Sequence, residues 1–420
     1  MCTAIVSRIF VWILGAFTSN VLETYDTSAT LSSAKESSIV EKLGIRSFSN
    51  WDGVHFTHIA LYGYEYEHAH AFFPLLPVTV GFLGKILTAS GVVSERDGIA
   101  VAAFLVSNVA FVGAAHLLDR LGQRVFGDSK QSQRLARVAA VIFAINPAGA
   151  FMSAFYTESV FAMLSFWGML RAEEGNMWRA ALAFSLASAI RSNGALLSLL
   201  YVVLPTATSD FRKTSSFFVA VKSRVSVVAI SIFSAFAPYV LFQAYAGSVY
   251  CVDDVSSRPW CDTSTYALPV RLVSESLGVP LGMYGWIQSE YWGNGLFAYW
   301  TWQQLPNFLL ASPIVFLSIR GIRSWLLETR RTTYRRTPVC FVVHWSLLLF
   351  VAVFTMNVQV TTRFLSACPA LYWYAASVCL NPTPAGSALF GVCPRKALLC
   401  YFLGYAMVGT VLFTRFYPWT

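Results

Sequence analysis

Apolar residues come in long blocks along this chain, and polar residues gather between them. Blocks of about 20 apolar residues can cross a membrane as helices. The pattern predicts spans near 4–22, 71–93, 98–118, 138–170, 178–204, 225–246, 296–319, 337–356, 364–380 and 397–417. Segment 138–170 is too long for one straight crossing and contains Asn146-Pro147, which allows two pieces. The expectation is ten or eleven helices, the first a retained anchor rather than a cleaved leader, in a single transmembrane domain over 1–420.

Two polar intervals are long. Interval 23–70 carries Glu23, Asp26, Glu36, Glu41, Asp52, Glu65 and Glu67 against Lys35, Lys42 and Arg46. Interval 247–295 carries Asp253, Asp254, Asp262, Glu275 and Glu290 against Arg258 and Arg271. The short stretch 320–336 holds Arg320, Arg323, Arg330, Arg331, Arg335 and Arg336 with Glu328, and 205–224 holds Arg212, Lys213, Lys222 and Arg224 with Asp210. Basic loops stay cytosolic, so the two acidic intervals are expected on the luminal or extracellular side. Parity then fails: an odd number of crossings must join 23–70 to 205–224, and the pattern offers four. Either 138–170 crosses twice or part of 71–118 is re-entrant. The basic stretch 119–137 favours the second option.

Composition agrees. Of 420 residues, 56% are hydrophobic and 12% charged, against about 25% charged in ordinary globular chains; mean hydropathy is +0.56. A soluble enzyme and a disordered chain are excluded. The net charge of +9 reads as cytosolic anchoring rather than nucleic-acid binding. There is no Cys-x-x-Cys or His-Glu-x-x-His spacing, so no metal is expected. Cys251 and Cys261 flank a short piece of the second acidic loop, where an oxidising lumen would let them pair; two free thiols are the alternative.

The chemistry concentrates in Trp51-Asp52-Gly53-Val54-His55-Phe56 and its continuation through Gly63-Tyr64, Glu67-His68 and Phe72-Phe73-Pro74. An interfacial aromatic belt explains the aromatics but neither Asp52 nor His55, His58, His68 and His70. A carboxylate at an apolar boundary suits removal of a proton from a hydroxyl. Further polar clusters lie in or beside apolar spans: Asn146-Pro147, Tyr156-Thr157-Glu158, Arg191-Ser192-Asn193-Gly194, Gln303-Gln304 with Pro306-Asn307, and Asn357-Val358-Gln359 with Arg363. Charged groups cannot face lipid unpaired, so they line a cavity or pair together. Arg191 and Arg363 beside amides and a carboxylate suit an anionic, lipid-linked ligand, held through guanidinium–phosphate forks. Polar contacts between helices are the plainer reading of any single amide. Tyr291-Trp292, Tyr299-Trp300 and Trp302 close the second acidic loop, either to stack on sugar rings or to anchor at the interface.

Read together, these blocks resemble the PIG-V (GPI mannosyltransferase II) family of the GT-C class. The matching residues are Trp51-Asp52 through His55-Phe56, Gly63-Tyr64, Phe72-Phe73-Pro74, Asn146-Pro147-Ala148 and Tyr156-Thr157-Glu158-Ser159. They continue with Arg191-Ser192-Asn193-Gly194, Tyr291-Trp292, Gln304-Leu305-Pro306-Asn307-Phe308, Val358-Gln359-Val360 with Thr362-Arg363-Phe364-Leu365, and Tyr372-Trp373. Asn357 stands where the family often has His, and Gly293-Asn294 replaces its usual Asn-Val.

The resemblance implies an all-α polytopic GT-C-type bundle in the endoplasmic reticulum membrane with its active site in the lumen. It implies transfer of mannose from dolichyl-phosphate-mannose, in α-1,6 linkage and with inversion, to the first mannose of a glucosaminyl-phosphatidylinositol precursor. No nucleotide or other cofactor is expected, and a small accessory membrane subunit stays open. Asp52 would be the base. Arg363 and Arg191 would stabilise the departing phosphate; His55 and Glu67 would orient the acceptor or Asp52. Trp51, Glu158, Asn193, Gln303, Asn307 and Gln359 would complete the substrate contacts. Other readings are a GT-C transferase with a different acceptor, a membrane transporter, for which no internal repeat is visible, and a non-catalytic subunit.

Overall fold

A computed structural model of the chain describes residues 1–25, 38–89, 91, 93–208, 217–251, 258–327, 333–381 and 393–419; the side chains of 207–224 are outside it. The charges of Asp26, Lys35, Glu36, Asp210, Arg212, Lys213, Lys222, Arg224, Asp253, Asp254, Glu328, Arg330 and Arg331 therefore lie outside the described residues. Those described form helices and turns, with no strand among them.

The helices are α1 (Cys2–Val21), α2 (Asp52–Tyr62), α3 (Leu75–Thr88), α4 (Glu95–Phe126), α5 (Lys130–Ala144), α6 (Glu158–Glu173) and α7 (Met177–Ile190). Then come α8 (Gly194–Ser198), which runs on through a π-turn to Thr208, α9 (Phe217–Tyr250), α10 (Leu268–Leu277) and α11 (Met283–Glu290). The last are α12 (Leu305–Leu327), α13 (Val339–Phe354), α14 (Pro369–Leu380) and α15 (Pro394–Thr414). Among the described residues, five stretches are long and apolar enough to cross a membrane: Cys2–Val21, Glu95–Phe126, Val225–Tyr250, Trp302–Leu327 and Pro394–Thr414.

Local sequence sets the boundaries. Ser94 caps α4 by accepting from the Asp97 amide, and Gly127 (φ 83°) ends it. Ser129 caps α5 and Asn176 caps α7 in the same way; such caps satisfy amides that a helix start leaves orphaned. Small residues let the helices approach closely. A Cβ on Gly84 of α3 would lie 2.8 Å from Ile99 of α4, and one on Gly122 of α4 would lie 2.8 Å from Ala136 of α5.

The parity problem closes here, and two predicted spans change. Segment 71–93 does not cross. It is occupied by α3, of 14 residues. It starts beside Phe72 and Phe73 and ends with Thr88 packed on Gly98 in the first turn of α4, where Asp97 pairs with Arg46 of the first loop at 2.6 Å. Both of its ends therefore belong to the loop-one side. Segment 178–204 breaks at Arg191–Asn193 into α7 and α8, and 138–170 breaks at 145–157 into α5 and α6. α4, α5, α6, α7 and the α8 stretch thus make five passages, an odd number, from the first loop to Thr208.

Contacts fix the two ends. Arg124 at the foot of α4 donates to the Glu173 carbonyl at the foot of α6. At the opposite end the start of α6 meets the end of α7 through Glu158 and Arg191. Asn50 of the first loop donates to the Phe413 and Thr414 carbonyls at the end of α15. Cys251, just past α9, is disulfide-bonded to Cys261, with Cα atoms 5.7 Å apart.

Candidate active site

The first loop delivers Asp52 through a strained turn. Trp51 has φ 58° and ψ −126°, a conformation that costs a non-glycine residue about 1–3 kcal/mol. Its ring is held against Phe416 at 5.7 Å. The turn is fixed from below as well: the Phe155 amide donates to the Phe48 carbonyl at 2.8 Å, and the Asp52 amide donates to the Tyr156 hydroxyl at 2.9 Å. Asp52 opens α2, where a carboxylate complements the positive end of the helix.

Arg363 comes from the single turn Thr361–Phe364 that follows Asn357. Its Nη2 donates to Asp52 Oδ2 at 3.1 Å and its Nε to Glu158 Oε1 at 2.9 Å. The guanidinium lies over the rings of Phe151 (4.6 Å) and Tyr156 (4.7 Å), so cation–π contacts hold it from the remaining side. No described residue accepts from its Nη1. Arg191, at the end of α7, shares the same Glu158 oxygen at 3.5 Å. Glu158 is 0% exposed. A buried carboxylate persists only where cations compensate it, and here the two guanidiniums do so. Two carboxylates and two guanidiniums balance one another at the break between apolar helices.

A cavity of about 540 Å³ opens on this cluster. Asp52, Arg191, Asn193 and Arg363 line it together with Tyr284, Gln288, Trp292 and Asn294 of the second loop and with Phe72 and Phe73. The Asn193 amide nitrogen is buried without a hydrogen-bond partner, and the residue helps to line the cavity. Ser192 donates to the Tyr284 hydroxyl at 3.0 Å, and Asn294 donates to Gln288 at 2.7 Å. The volume fits a small polar ligand. Cations together with aromatic rings and amides suit a phosphate and a sugar.

The structure gathers Asp52, Glu158, Arg191, Asn193 and Arg363 as the polar clusters suggested, and it separates the other candidates from them. Glu67 does not line the cavity: it accepts from Trp260 Nε1 at 2.7 Å and Tyr291 Oη at 2.9 Å. His55 does not line it either; its ring stacks on Phe72 at 5.2 Å and meets His68 edge-on at 5.3 Å. Burial pushes the His55 imidazole below its ordinary value in spite of the nearby Asp52 charge, and pushes His68 the same way with help from His58. Trp51 flanks the cavity rather than lining it.

Gln303 is exposed in the turn Trp302–Gln304. Asn307 and Gln359 are occupied elsewhere: Asn307 donates to Tyr299 Oη and Gln304 Oε1, and Tyr299 donates to Gln359. These three amides form a knot between α12 and the turn Val358–Val360, because Tyr299 supplies both a donor and an acceptor. Among the described residues no group of three or more His, Cys, Asp or Glu is placed to hold a metal ion.

Further residues join the site, Trp292 among them as one of the rings that the sequence offers for stacking on sugars. Ser192, Trp292, Asn294 and Asn357 line the cavity, and Tyr156 holds the Asp52 amide. All five lie inside or next to the polar and aromatic blocks, with no charge to set them apart there. Tyr284 and Gln288 carry an available signal, since their i, i+4 spacing puts both on one face of α11.

The family model described as Mannosyltransferase (PIG-V) matches residues 1–420. This chain belongs to the PIG-V mannosyltransferase family. The PIG-V chain is 32% identical to GPI alpha-1,6-mannosyltransferase 2 of Mus musculus over 91% of its own length and 89% of that protein. It is 30% identical to the protein of the same name from Homo sapiens, again over 91% and 89%. It is 32% identical to GPI mannosyltransferase 2 of Drosophila pseudoobscura pseudoobscura over 91% and 89%.

Among solved structures it is similar to the archaeal oligosaccharyltransferase AglB from Archaeoglobus fulgidus, solved with an inhibitory peptide and a dolichol-phosphate. The TM-score is 0.49 and the identity 13%, over 98% of this chain and 56% of that one. It is also similar to ArnT from Cupriavidus metallidurans bound to undecaprenyl phosphate, with TM-score 0.49 and 12% identity over 97% and 70%. The PIG-V chain is an all-helical membrane protein and a mannosyltransferase by family.

Proposed function

We propose that this PIG-V chain adds the second mannose to the GPI-anchor precursor. It takes mannose from dolichyl-phosphate-mannose and places it in α-1,6 linkage on the first mannose of the glucosaminyl-phosphatidylinositol acceptor, in the lumen of the endoplasmic reticulum. The relatives named GPI alpha-1,6-mannosyltransferase 2 support that choice of reaction. The observation that carries it is the pairing of Asp52 with Arg363 in the lining of the cavity.

Asp52 takes the proton from the acceptor hydroxyl as its oxygen attacks the anomeric carbon. The bond from that carbon to the phosphate oxygen breaks, and dolichyl phosphate leaves. Base assistance of this kind is worth about 10²–10⁴ in rate. Arg363, through the Nη1 that no described residue occupies, and Arg191 meet the charge that grows on the phosphate. A positioned donor at such a place contributes about 10²–10³.

Because Asp52 holds Arg363 Nη2, an incoming phosphate competes with the base for the same guanidinium and draws it away. Asp52 is thus released once the donor is in place. A single displacement inverts the anomeric centre and uses no cofactor. Tyr284 and Trp292 offer the acceptor sugars ring faces for stacking, and Gln288 and Asn294 bind hydroxyls.

The test is product identity. Membranes containing this protein and lacking any other second mannosyltransferase are given labelled dolichyl-phosphate-mannose and one-mannose precursor. A two-mannose lipid that an α-1,6-specific mannosidase trims is expected. Labelled product on a different acceptor, or flux of a solute without transfer, would overturn the reading.

A further inference from the structure

Glu67 is a buried carboxylate that the transfer chemistry leaves unused. We propose that it is a positioning residue which docks the second luminal loop onto the first, and so sets the aromatic and amide wall of the cavity. This rests on the mannosyl-transfer reading for its kinetic consequence, and on geometry alone for the docking itself.

Glu67 is 7% exposed, and both its oxygens are taken by groups from the second loop. Oε1 accepts from Trp260 Nε1 at 2.7 Å, and Oε2 accepts from Tyr291 Oη at 2.9 Å. Arg258 adds a cation, its Nε 3.6 Å from Oε1. Hydrogen bonds to an ionised acceptor are about twice as strong as neutral ones, and Trp260 is only 2% exposed, so its N–H has little access to water as a substitute.

The two anchor points are held on their own side as well. Trp260 is followed by Cys261, whose disulfide to Cys251 ties it to the end of α9. Trp260 also packs with Ala246, Met283 and Ile287 in a small separate core. Met283 and Ile287 belong to α11, the helix that presents Tyr284 and Gln288 to the cavity. Tyr291 directly precedes Trp292, another cavity residue. Each arm of Glu67 therefore ends within one or two steps of the wall assigned to the acceptor, while the Asp52–Arg363–Glu158 cluster is built from other elements.

The consequence is selective. With one arm lost, the wall loosens and the charged cluster stays as it is. The acceptor should bind more weakly, and donor binding and the chemical step should hold.

The experiment uses the full chain in lipid nanodiscs, wild type against Glu67→Gln, with Trp260→Phe as a milder variant that deletes only the N–H. Two readouts are taken: amide hydrogen exchange over residues 283–295, and initial rates with donor and one-mannose acceptor varied separately. Expected are exchange over 283–295 faster by about fivefold or more and an acceptor KM raised about tenfold. Donor KM and kcat should stay within about twofold of wild type. Unchanged exchange in both variants would overturn the docking role. Faster exchange with acceptor KM unmoved, or a fall in kcat alone, would overturn its consequence for the acceptor. Failure of the wild-type chain to transfer mannose would instead count against the enzymatic reading, and the exchange comparison would still decide whether Glu67 docks the loop.

Discussion

Asp52 and Glu67 lie in the same acidic loop, each beside an aromatic residue and close to histidines, yet the fold gives them opposite positions. Asp52 opens a helix at the edge of a cavity and holds one guanidinium through one oxygen. Glu67 is enclosed, and both its oxygens are occupied by a neighbouring loop. The difference lies in what the rest of the chain brings to each carboxylate. A group left partly unsatisfied next to open volume can do chemistry, whereas a saturated one holds structure. Glu158 adds a third case: it is fully buried and acts through the two arginines it carries.

Substitutions test this contrast. Asp52→Asn keeps the shape and removes the base, and should lower kcat by about 10²–10⁴ in labelled transfer at matched protein abundance. Arg363→Ala removes the group shared by both carboxylates and should lower kcat by about 10²–10³; Arg363→Lys should restore only part, because a point charge cannot reach Asp52, Glu158 and a phosphate together. Glu158→Gln leaves two close guanidiniums with reduced compensation, and should lower both transfer and the thermal midpoint of the purified protein. Asn307→Ala touches the amide knot away from the cavity, and should leave kcat/KM within about threefold of wild type.

The smallest effect concerns pH. Burial lowers the His55 and His68 values in the folded chain from an ordinary 6.5, so below that pH the unfolded chain binds protons which the folded chain resists. The thermal midpoint should therefore drop as pH falls from 7 toward 5, and His55→Gln should flatten that drop.

Much of the site could be read from the sequence because charge inside apolar segments has so few outlets. Arg191, Arg363, Glu158 and Asp52 had to meet one another or a ligand, and they do. The cysteine spacing was legible as well, and Cys251 and Cys261 pair. Other features were hidden because hydropathy reports composition and not direction. α3 is as apolar as a span, yet it folds back on α4 through Gly84. The Arg191–Gly194 cluster looked like polar residues within one span but is a break between two. Gln303, Asn307 and Gln359 are polar beside apolar helices as the cavity residues are. Only the position of Tyr299 shows that Asn307 and Gln359 are satisfied away from the cavity. Glu67 could not be told from Asp52 until Trp260 and Tyr291, far along the chain, were seen closing on it.

The mechanism turns on Asp52 as the base of a mannosyl transfer. Its most direct test is the amount of two-mannose lipid formed from labelled dolichyl-phosphate-mannose and one-mannose precursor by wild-type and Asp52→Asn protein, at equal abundance, in membranes without another second mannosyltransferase. Product from the wild type, with the variant reduced by at least about a hundredfold, is the predicted result. Equal product from both would contradict it.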